Sequence, residues 1–178
     1  MMNGWVKWVP LMIAALLLGM FLRGLVHPEG QQQLITSKWV NKPMPTFDLP
    51  PATAGVEGLK SSDLATGQPR ILNIFASWCI PCAAEAPVLE ELKQKGVIIE
   101  GIAIRDTPED LAKFLAKNGN PYARIGADRD SGVQIAIGSS GVPESFLIDG
   151  KGIVREQIQG VIVEADVPEI IAKLEKMK

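Results

Sequence analysis

From about Pro43 onward, the chain alternates between short apolar runs and segments with one apolar face. The runs 70–76 (RILNIFA) and 97–105 (VIIEGIAIR) are almost continuously apolar, which is typical of strands buried on both faces. The segment 82–96 (CAAEAPVLEELKQKG) has helical spacing, an acidic first half, a basic end and a final glycine. The segment 107–119 opens with a threonine cap, a proline and two acids, so it predicts a second helix.

The C-terminal part of the chain predicts a hairpin and a final helix. Residues 145–160 (SFLIDGKGIVREQIQG) contain two strand patterns that turn at Asp149–Gly152, and residues 164–178 are amphipathic with a helical period. This order of elements predicts a mixed α/β fold in which 70–105 is a right-handed parallel crossover. Reactive groups in such sheets gather where a strand ends and the next helix begins, and Cys79 lies at that place.

An uncharged apolar run, residues 8–22 (WVPLMIAALLLGMFL), lies between Lys7 and Arg23. Its fifteen residues are few for a membrane span, but the two flanking cations can snorkel and lengthen it. No small-x-small cleavage site follows the run. We therefore predict that residues 1–27 are a retained anchor and that the following domain lies outside the cytoplasm. A cleaved signal peptide is the alternative, and it also exports the domain.

The rest of the chain is consistent with one folded domain behind a linker. Residues 28–42 mix Pro, Gly and Gln and are predicted to be the linker, followed by a domain at 43–178. Of the 178 residues, 47% are apolar, which supports a packed core and excludes wholesale disorder. The formal charge is −2 and no cationic stripe is present, which argues against nucleic acid as the main partner.

Both cysteines, Cys79 and Cys82, lie at the predicted junction of a strand and a helix, within ASWCIPCAAEAP (76–87). Unpaired N–H groups and the dipole at a helix N-terminus stabilise a thiolate and lower the pKa of the thiol. Cysteines three positions apart lie about one helical turn apart, within the reach of a disulfide. We predict a redox-active pair in which an exposed Cys79 attacks and a more buried Cys82 resolves the mixed disulfide.

Other uses of two cysteines fit the sequence less well. A zinc site needs four ligands, and the single histidine, His27, lies beside the predicted anchor. A purely structural disulfide across so short a loop would stabilise little. A copper carrier that uses the two thiols alone stays open. We predict no metal and no other cofactor.

The segment FASWCIPC (75–82), placed after an apolar strand, resembles the active site of the thioredoxin superfamily. Pro87 lies eight residues after Cys79, where thioredoxins have a kinking proline inside the helix. GVPESFLIDGKGIV (141–154) resembles the cis-proline loop of the superfamily and the strand that follows it.

Two further segments, GNPYARIGADRDSG (119–132) and KPMPTFDLP (42–50), resemble the DsbE/CcmG proteins, the anchored periplasmic thioredoxins of cytochrome c maturation. The resemblance extends over roughly residues 40–160. It implies a thioredoxin-like fold, with a central mixed sheet flanked by helices and one N-terminal transmembrane helix.

The resemblance also implies a function. Proteins of this family are dithiol reductases that keep apocytochrome c cysteines reduced for haem attachment, directly or through a partner thiol protein. A membrane electron donor of the DsbD or CcdA type recharges them, and they lie on the periplasmic side of the inner membrane. Two alternatives stay open: a TlpA- or ResA-like reductase for another client such as copper-centre assembly, and a copper-binding chaperone without turnover.

Several residues around the cysteines receive roles from the same resemblance. Pro143 would face the sulfurs through a cis bond after Val142, and Val142 would offer backbone groups to a partner peptide. Glu144 resembles the family's acid beside the cis-proline, and a rim charge that repels wrong partners is the alternative. Trp78 would shield Cys79, either in contact with a partner or in a structural role.

The proton chemistry of the site is expected to differ from that of thioredoxin. Asn73 stands where thioredoxin has a buried Asp, six residues before the first active-site cysteine, so another group must serve Cys82. Glu85 lies three residues after Cys82 and looks like the family's active-site acid; a solvated first-turn acid that favours the helix dipole is the alternative. The sequence also lacks the family's tyrosine before the cis-proline loop and its Tyr-Lys pair after the second strand, which affects partner recognition.

Overall fold

The computed structural model describes residues 8–26 and 36–178, except for the side chains of residues 23–26. The chain divides into two compact units, Met1–Leu34 and Ile35–Lys178. Everything that forms the candidate site belongs to the second unit.

The first unit contains helix α1 (Val9–Val26), which covers residues 9–22 of the uncharged run 8–22. Among the described residues, no helix is both long enough and apolar enough to cross a membrane. Both ends of the predicted anchor (1–27) and most of the predicted linker (28–42) lie outside the described residues. The anchor therefore stays a prediction.

The second unit is built on a five-stranded mixed sheet. Its described residues form the strands β1 (Asp48–Leu49), β2 (Leu59–Lys60), β3 (Arg70–Phe75), β4 (Ile98–Ile104), β5 (Ile125–Asp128), β6 (Glu144–Ile148) and β7 (Val154–Gln159). The main sheet has the order β5-β4-β3-β6-β7, and β1 pairs with β2 apart from it. Strand β3 is parallel to β4 and antiparallel to β6, and β6 continues antiparallel into β7. The predicted parallel pairing within 70–105, the hairpin and the mixed sheet are confirmed.

Helices pack against this sheet. They are α2 (Ile80–Gln94), α3 (Pro108–Asn118), α4 (Gly132–Ala136) and α5 (Val167–Lys176), with 3-10 helices at Ser61–Leu64 and Glu164–Asp166. The predicted start of α3 is confirmed, because the Thr107 hydroxyl accepts a hydrogen bond from the Asp110 N–H at 3.1 Å. Helix α2 contacts α3, α5 and β4. The sequence did not predict β1, β2, β5 or α4, which are two to five residues long.

Strand β3 is the centre of the core, and all six of its residues are buried. Leu72 and Phe75 are fully buried, as are most apolar residues of β4 and β6. Strand β3 is hydrogen-bonded to β4 on one edge and to β6 on the other, so the position of its last residue is well defined. The loop 76–79 leads from there into α2.

The segment 36–42 belongs to the second unit and packs onto its other elements, although the sequence predicts that the domain starts at residue 43. Ser37 is 3% exposed, and the indole Nε1 of Trp39 donates to the Ala136 carbonyl at 2.7 Å. The Asn41 N–H donates to the Val154 carbonyl at 2.7 Å. These hydrogen bonds join the segment to α4 and to the start of β7.

Candidate active site

The two cysteines lie where the core strand passes into α2. Cys79 is the N-cap of α2, and its sulfur accepts a hydrogen bond from the Cys82 N–H at 3.1 Å. Pro81 lies in the first turn, where its missing N–H costs no helical hydrogen bond. The Cys79 sulfur therefore lies at the positive end of a 15-residue helix, as the sequence predicts.

Cys79 and Cys82 form a disulfide with a Cα–Cα distance of 5.2 Å, which is the predicted pairing. The expected contrast in exposure is wrong for this oxidised form: Cys79 is 4% exposed and Cys82 is 3% exposed. Both side chains belong to the main hydrophobic cluster, which explains the burial. Among the described residues, no group of three or more His, Cys, Asp or Glu side chains is arranged to hold a metal ion.

Trp78 lines the same groove as Cys79 and is 56% exposed. Its indole Nε1 donates to the Arg105 carbonyl at 3.3 Å, and Arg105 has the left-handed φ of 48°. The neighbouring Ser77 N–H donates to the Asp106 carboxylate at 2.7 Å. The loop that carries Trp78 is thus tied to the end of β4.

A groove of about 620 Å³ opens beside Cys79, between the start of α2 and helix α3. Its walls include Trp78, Ile80, Asp106 and Phe114. The sequence did not predict this groove, because its second wall comes from a helix that begins 29 residues after Cys79.

Glu85 lies three residues after Cys82 on α2 and is buried, at 1% exposure. Its carboxylate accepts hydrogen bonds from the Ile162 N–H at 2.8 Å and from the Asn73 side-chain amide at 3.2 Å. Burial raises the pKa of Glu85 to about 7, although both hydrogen bonds act in the opposite direction. The alternative of a solvated first-turn acid is therefore wrong.

A hydrogen-bond network that the sequence did not predict fixes Asn73 against Glu85. The Asn73 amide also donates to the Ser145 hydroxyl at 3.0 Å, and its carbonyl oxygen accepts from the Tyr122 hydroxyl at 2.8 Å. The Tyr122 ring stacks on Phe75 with centroids 4.4 Å apart. Burial, and then the nearby Glu85 charge, raise the pKa of Tyr122 well above its ordinary value, so its hydroxyl stays protonated. Tyr122 is the only tyrosine in the sequence, and that was the one feature of the sequence that could have drawn attention to it.

The peptide bond between Val142 and Pro143 is cis, the isomer that the resemblance implies. Pro143 is buried and Val142 is half-buried. The Pro143 carbonyl accepts from the Gly160 N–H at 3.1 Å, which fixes the loop to the end of β7. The contact of Val142 and Pro143 with a partner stays a prediction.

Glu144 differs from its expected place. It is 1% exposed, so it is not a rim charge, and its carboxylate turns back on its own loop. It accepts from the Ser140 N–H at 2.8 Å and the Ser139 hydroxyl at 3.0 Å, and also from the Gln157 side-chain amide. The carboxylate holds the cis-proline loop rather than facing a partner.

The arrangement can carry out thiol-disulfide exchange. It combines a cysteine pair at a helix N-terminus with a buried acid on the same helix whose pKa lies near neutrality. An acid with such a pKa can gain and lose a proton at the pH where thiols react.

Comparisons with known proteins agree with this chemistry. The family model described as Redoxin matches residues 39–174. The thiol:disulfide interchange protein DsbE of Pseudomonas fluorescens biotype C is 38% identical over 163 residues, which cover 92% of this chain and 89% of the relative. The thiol:disulfide interchange protein HelX of Rhodobacter capsulatus is 43% identical over 103 residues, or 58% of each chain.

A solved structure agrees as well. A Chlorobium tepidum protein assigned as a thiol:disulfide interchange protein DsbE has a TM-score of 0.62 and 30% identity, and the match covers 76% of this chain and 96% of that one. The Redoxin match at residues 39–174 includes the cysteine pair. The chain therefore belongs to the Redoxin family and, within it, to the DsbE group, and it is a thiol-disulfide oxidoreductase.

Proposed function

We propose that this protein is a dithiol reductant of cytochrome c maturation, which keeps apocytochrome c cysteines reduced for haem attachment, directly or through a partner thiol protein. The observation that carries the proposal is the Cys79–Cys82 disulfide at the start of α2, in a chain 38% identical to a DsbE protein over 92% of its length. The HelX relative supports the same assignment.

The reaction is a two-step exchange. The Cys79 thiolate of the reduced protein attacks one sulfur of the client disulfide, and the other client sulfur leaves as a thiolate. The Cys82 thiolate then attacks the Cys79 sulfur and releases the second client sulfur. One S–S bond breaks in the client, one forms between Cys79 and Cys82, and two electrons pass to the client. The client sulfurs end as thiols, and the protein ends in the disulfide form described above.

Glu85 is the proposed proton acceptor of the second step. Cys82 must lose its proton before it can attack, and Asn73 cannot take it. Glu85 lies about one turn farther along α2 and is buried with a pKa of about 7, so its carboxylate can accept a proton near neutral pH. Trp78 and the loop of Val142 and Pro143 provide the proposed client contacts.

The cellular setting completes the proposal. Residues 1–27 anchor the protein in the inner membrane with a single pass, and the catalytic domain lies in the periplasm. A membrane electron donor of the DsbD or CcdA type reduces the Cys79–Cys82 disulfide after each cycle. The similarity to DsbE proteins supports this setting.

Trapping the client tests the proposal. A Cys82→Ser variant lacks the resolving thiol, so it should accumulate a mixed disulfide through Cys79 with an oxidised peptide that contains the haem-attachment sequence Cys-Xaa-Xaa-Cys-His. Cys79→Ser is the matched control and should form no adduct and show no exchange. If the adduct forms through Cys82 in the control instead, the assigned roles are reversed.

The reduction potential provides the second test. A value toward that of thioredoxin, about −270 mV, supports a reductant that a membrane donor recharges. A value near that of DsbA, about −120 mV, would mean that the protein installs disulfides, and the proposal would have to be abandoned. Tight stoichiometric retention of Cu(I) by the reduced protein would favour a copper chaperone instead.

A further inference from the structure

The cis-proline loop has little regular structure of its own. It spans residues 137–143, between the end of α4 and the start of β6. The proposed function requires this loop to present Val142 to the client in a fixed position. Two sets of hydrogen bonds hold the loop, one at its start and one at its end, and Ser37 takes part in both.

The first set of hydrogen bonds holds the start of the loop. The Ser37 hydroxyl donates to the Ile137 carbonyl at 2.5 Å and accepts from the Trp39 N–H at 3.2 Å. The Trp39 indole donates to the Ala136 carbonyl at 2.7 Å. Gly138 follows with a φ of +74°, and a side chain there would approach the Ser37 hydroxyl to 3.1 Å. The loop therefore leaves α4 directly over Ser37.

The second set holds the end of the loop through β7. The Ser37 N–H donates to the Gln157 side-chain oxygen at 2.6 Å, and the Gln157 amide donates to Glu144. The other oxygen of Glu144 accepts from the Ser140 N–H at 2.8 Å and the Ser139 hydroxyl at 3.0 Å. Ser37 is thus linked through two side chains to the backbone just before the cis bond.

We infer that Ser37 is a positioning residue for client binding, because it fixes both ends of the cis-proline loop from a segment outside the active site. The inference rests on the proposed function only in taking the loop as a client contact. Ser37 lies 120 residues from Gln157 and 100 residues from Ile137 in the sequence. We call the segment 36–39 the strap, because its hydrogen bonds hold the loop from a distant part of the chain.

The strap should affect client binding without affecting the reacting sulfurs. Cys79 is held by the first turn of α2 and by the end of β3, and no hydrogen bond of the strap reaches either element. A small disulfide needs access to Cys79 alone, whereas a peptide must also pair with the loop. Loss of the strap should therefore raise KM for a peptide and leave the exchange with a small disulfide unchanged.

Kinetics of a Ser37→Ala variant of the full chain test the inference. The probes are an oxidised Cys-Xaa-Xaa-Cys-His peptide and the small disulfide 5,5′-dithiobis(2-nitrobenzoate). We expect the peptide KM to rise about threefold to tenfold, with kcat and the small-disulfide rate unchanged. Ser61→Ala is the matched control. Ser61 lies in the 3-10 helix that follows β2, and its hydroxyl accepts a hydrogen bond from the Phe47 N–H, so the variant also removes one serine hydroxyl that accepts from a backbone N–H. An unchanged peptide KM in Ser37→Ala, or a parallel loss with both probes, would overturn the inference.

Amide hydrogen exchange provides a readout that needs no client. Ser37→Ala keeps the Ser37 N–H bond to Gln157 and removes only the hydroxyl bond to the Ile137 carbonyl, so the Ser139 N–H, which donates to the Gln134 carbonyl across Ile137, should exchange faster. The Ser140 and Gly141 N–H groups donate to Glu144, so both should exchange faster in Gln157→Ala, while the Cys82 N–H keeps its protection in both variants. Unchanged exchange at Ser139 in folded Ser37→Ala, or at Ser140 and Gly141 in folded Gln157→Ala, would refute the strap. If Ser37→Ala does not fold, Gln157→Ala tests the second set by itself. Failure of the wild-type protein to reduce the peptide would count against the proposed function alone, since the exchange experiment reads the loop directly.

Discussion

The buried carboxyl of Glu85 should make the protein less stable as the pH rises toward neutrality. Its pKa is about 7 in the folded protein, whereas an exposed glutamate has a pKa of 4.5. Between these two values the folded state binds more protons than the unfolded state, so the free energy of unfolding falls as pH increases. Below pH 4.5 both states are protonated and the penalty is absent; above pH 7 it is complete.

The size of the penalty follows from the same two values. The gap between 4.5 and about 7 corresponds to about 3 kcal/mol, at about 1.36 kcal/mol for each pH unit. A Glu85→Gln variant removes the titration. Gln can still accept from the Ile162 N–H, but its amide then faces the Asn73 amide, which adds a cost that does not depend on pH. The informative quantity is therefore the change with pH in the stability difference between the variant and the wild type.

Urea unfolding of the oxidised proteins at several pH values, followed by tryptophan fluorescence, measures that difference. From pH 4.5 to pH 8, Glu85→Gln should gain about 3 kcal/mol relative to the wild type. Glu91→Gln is the matched control, because Glu91 lies on the same helix, is 37% exposed and pairs with Lys95. A difference between Glu85→Gln and the wild type that stays constant within about 0.5 kcal/mol across this range would refute the assigned burial effect.

Three further outcomes are expected. Glu85→Gln should flatten the pH dependence of thiol exchange near pH 7, measured by stopped-flow fluorescence; an unchanged profile would exclude proton transfer by this group. Tyr122→Phe should lower the free energy of unfolding by about 1–2 kcal/mol, because the Asn73 carbonyl oxygen loses its donor; a loss below about 0.5 kcal/mol would contradict this. Arg70→Met should lower the free energy of unfolding by about 3 kcal/mol or more at pH 7, because it removes the closer cation from the fully buried Glu100 and leaves Arg124 at 3.6 Å. The loss should be smaller at pH 4, since burial raises the pKa of Glu100, and an equal loss at both pH values would show that the charge is not the cause.

Local signals in the sequence accounted for much of the fold. The continuous apolar runs marked β3 and β4, because strands buried on both faces need apolar side chains at every position. Thr107 before α3 and Pro108 at its first position marked the start of the helix, because the threonine caps an unpaired N–H group there and the proline has no N–H group to leave unpaired. Short elements such as β1 and α4 carry no such signal, since two to five residues cannot show a period.

The cysteine pair was also a local feature. Its spacing and its place between a strand and a helix were enough to predict the disulfide and the reactive helix terminus. The cis bond before Pro143 came from the resemblance of its loop to a known family, rather than from the residues alone.

Only the tertiary structure decided what surrounds the carboxylates. The buried Glu85 carboxylate accepts from a backbone N–H 77 positions away, and the Asn73 side chain accepts from a tyrosine hydroxyl 49 positions away. Glu144, adjacent to the predicted client contact, turns inward because Gln157 and its own loop supply donors. The sequence determines which groups can ionise and which segments are helices or strands, since those properties depend on neighbours in the chain. Whether an acid is solvated, paired or buried depends on groups that only folding brings together, and the pKa follows from that contact.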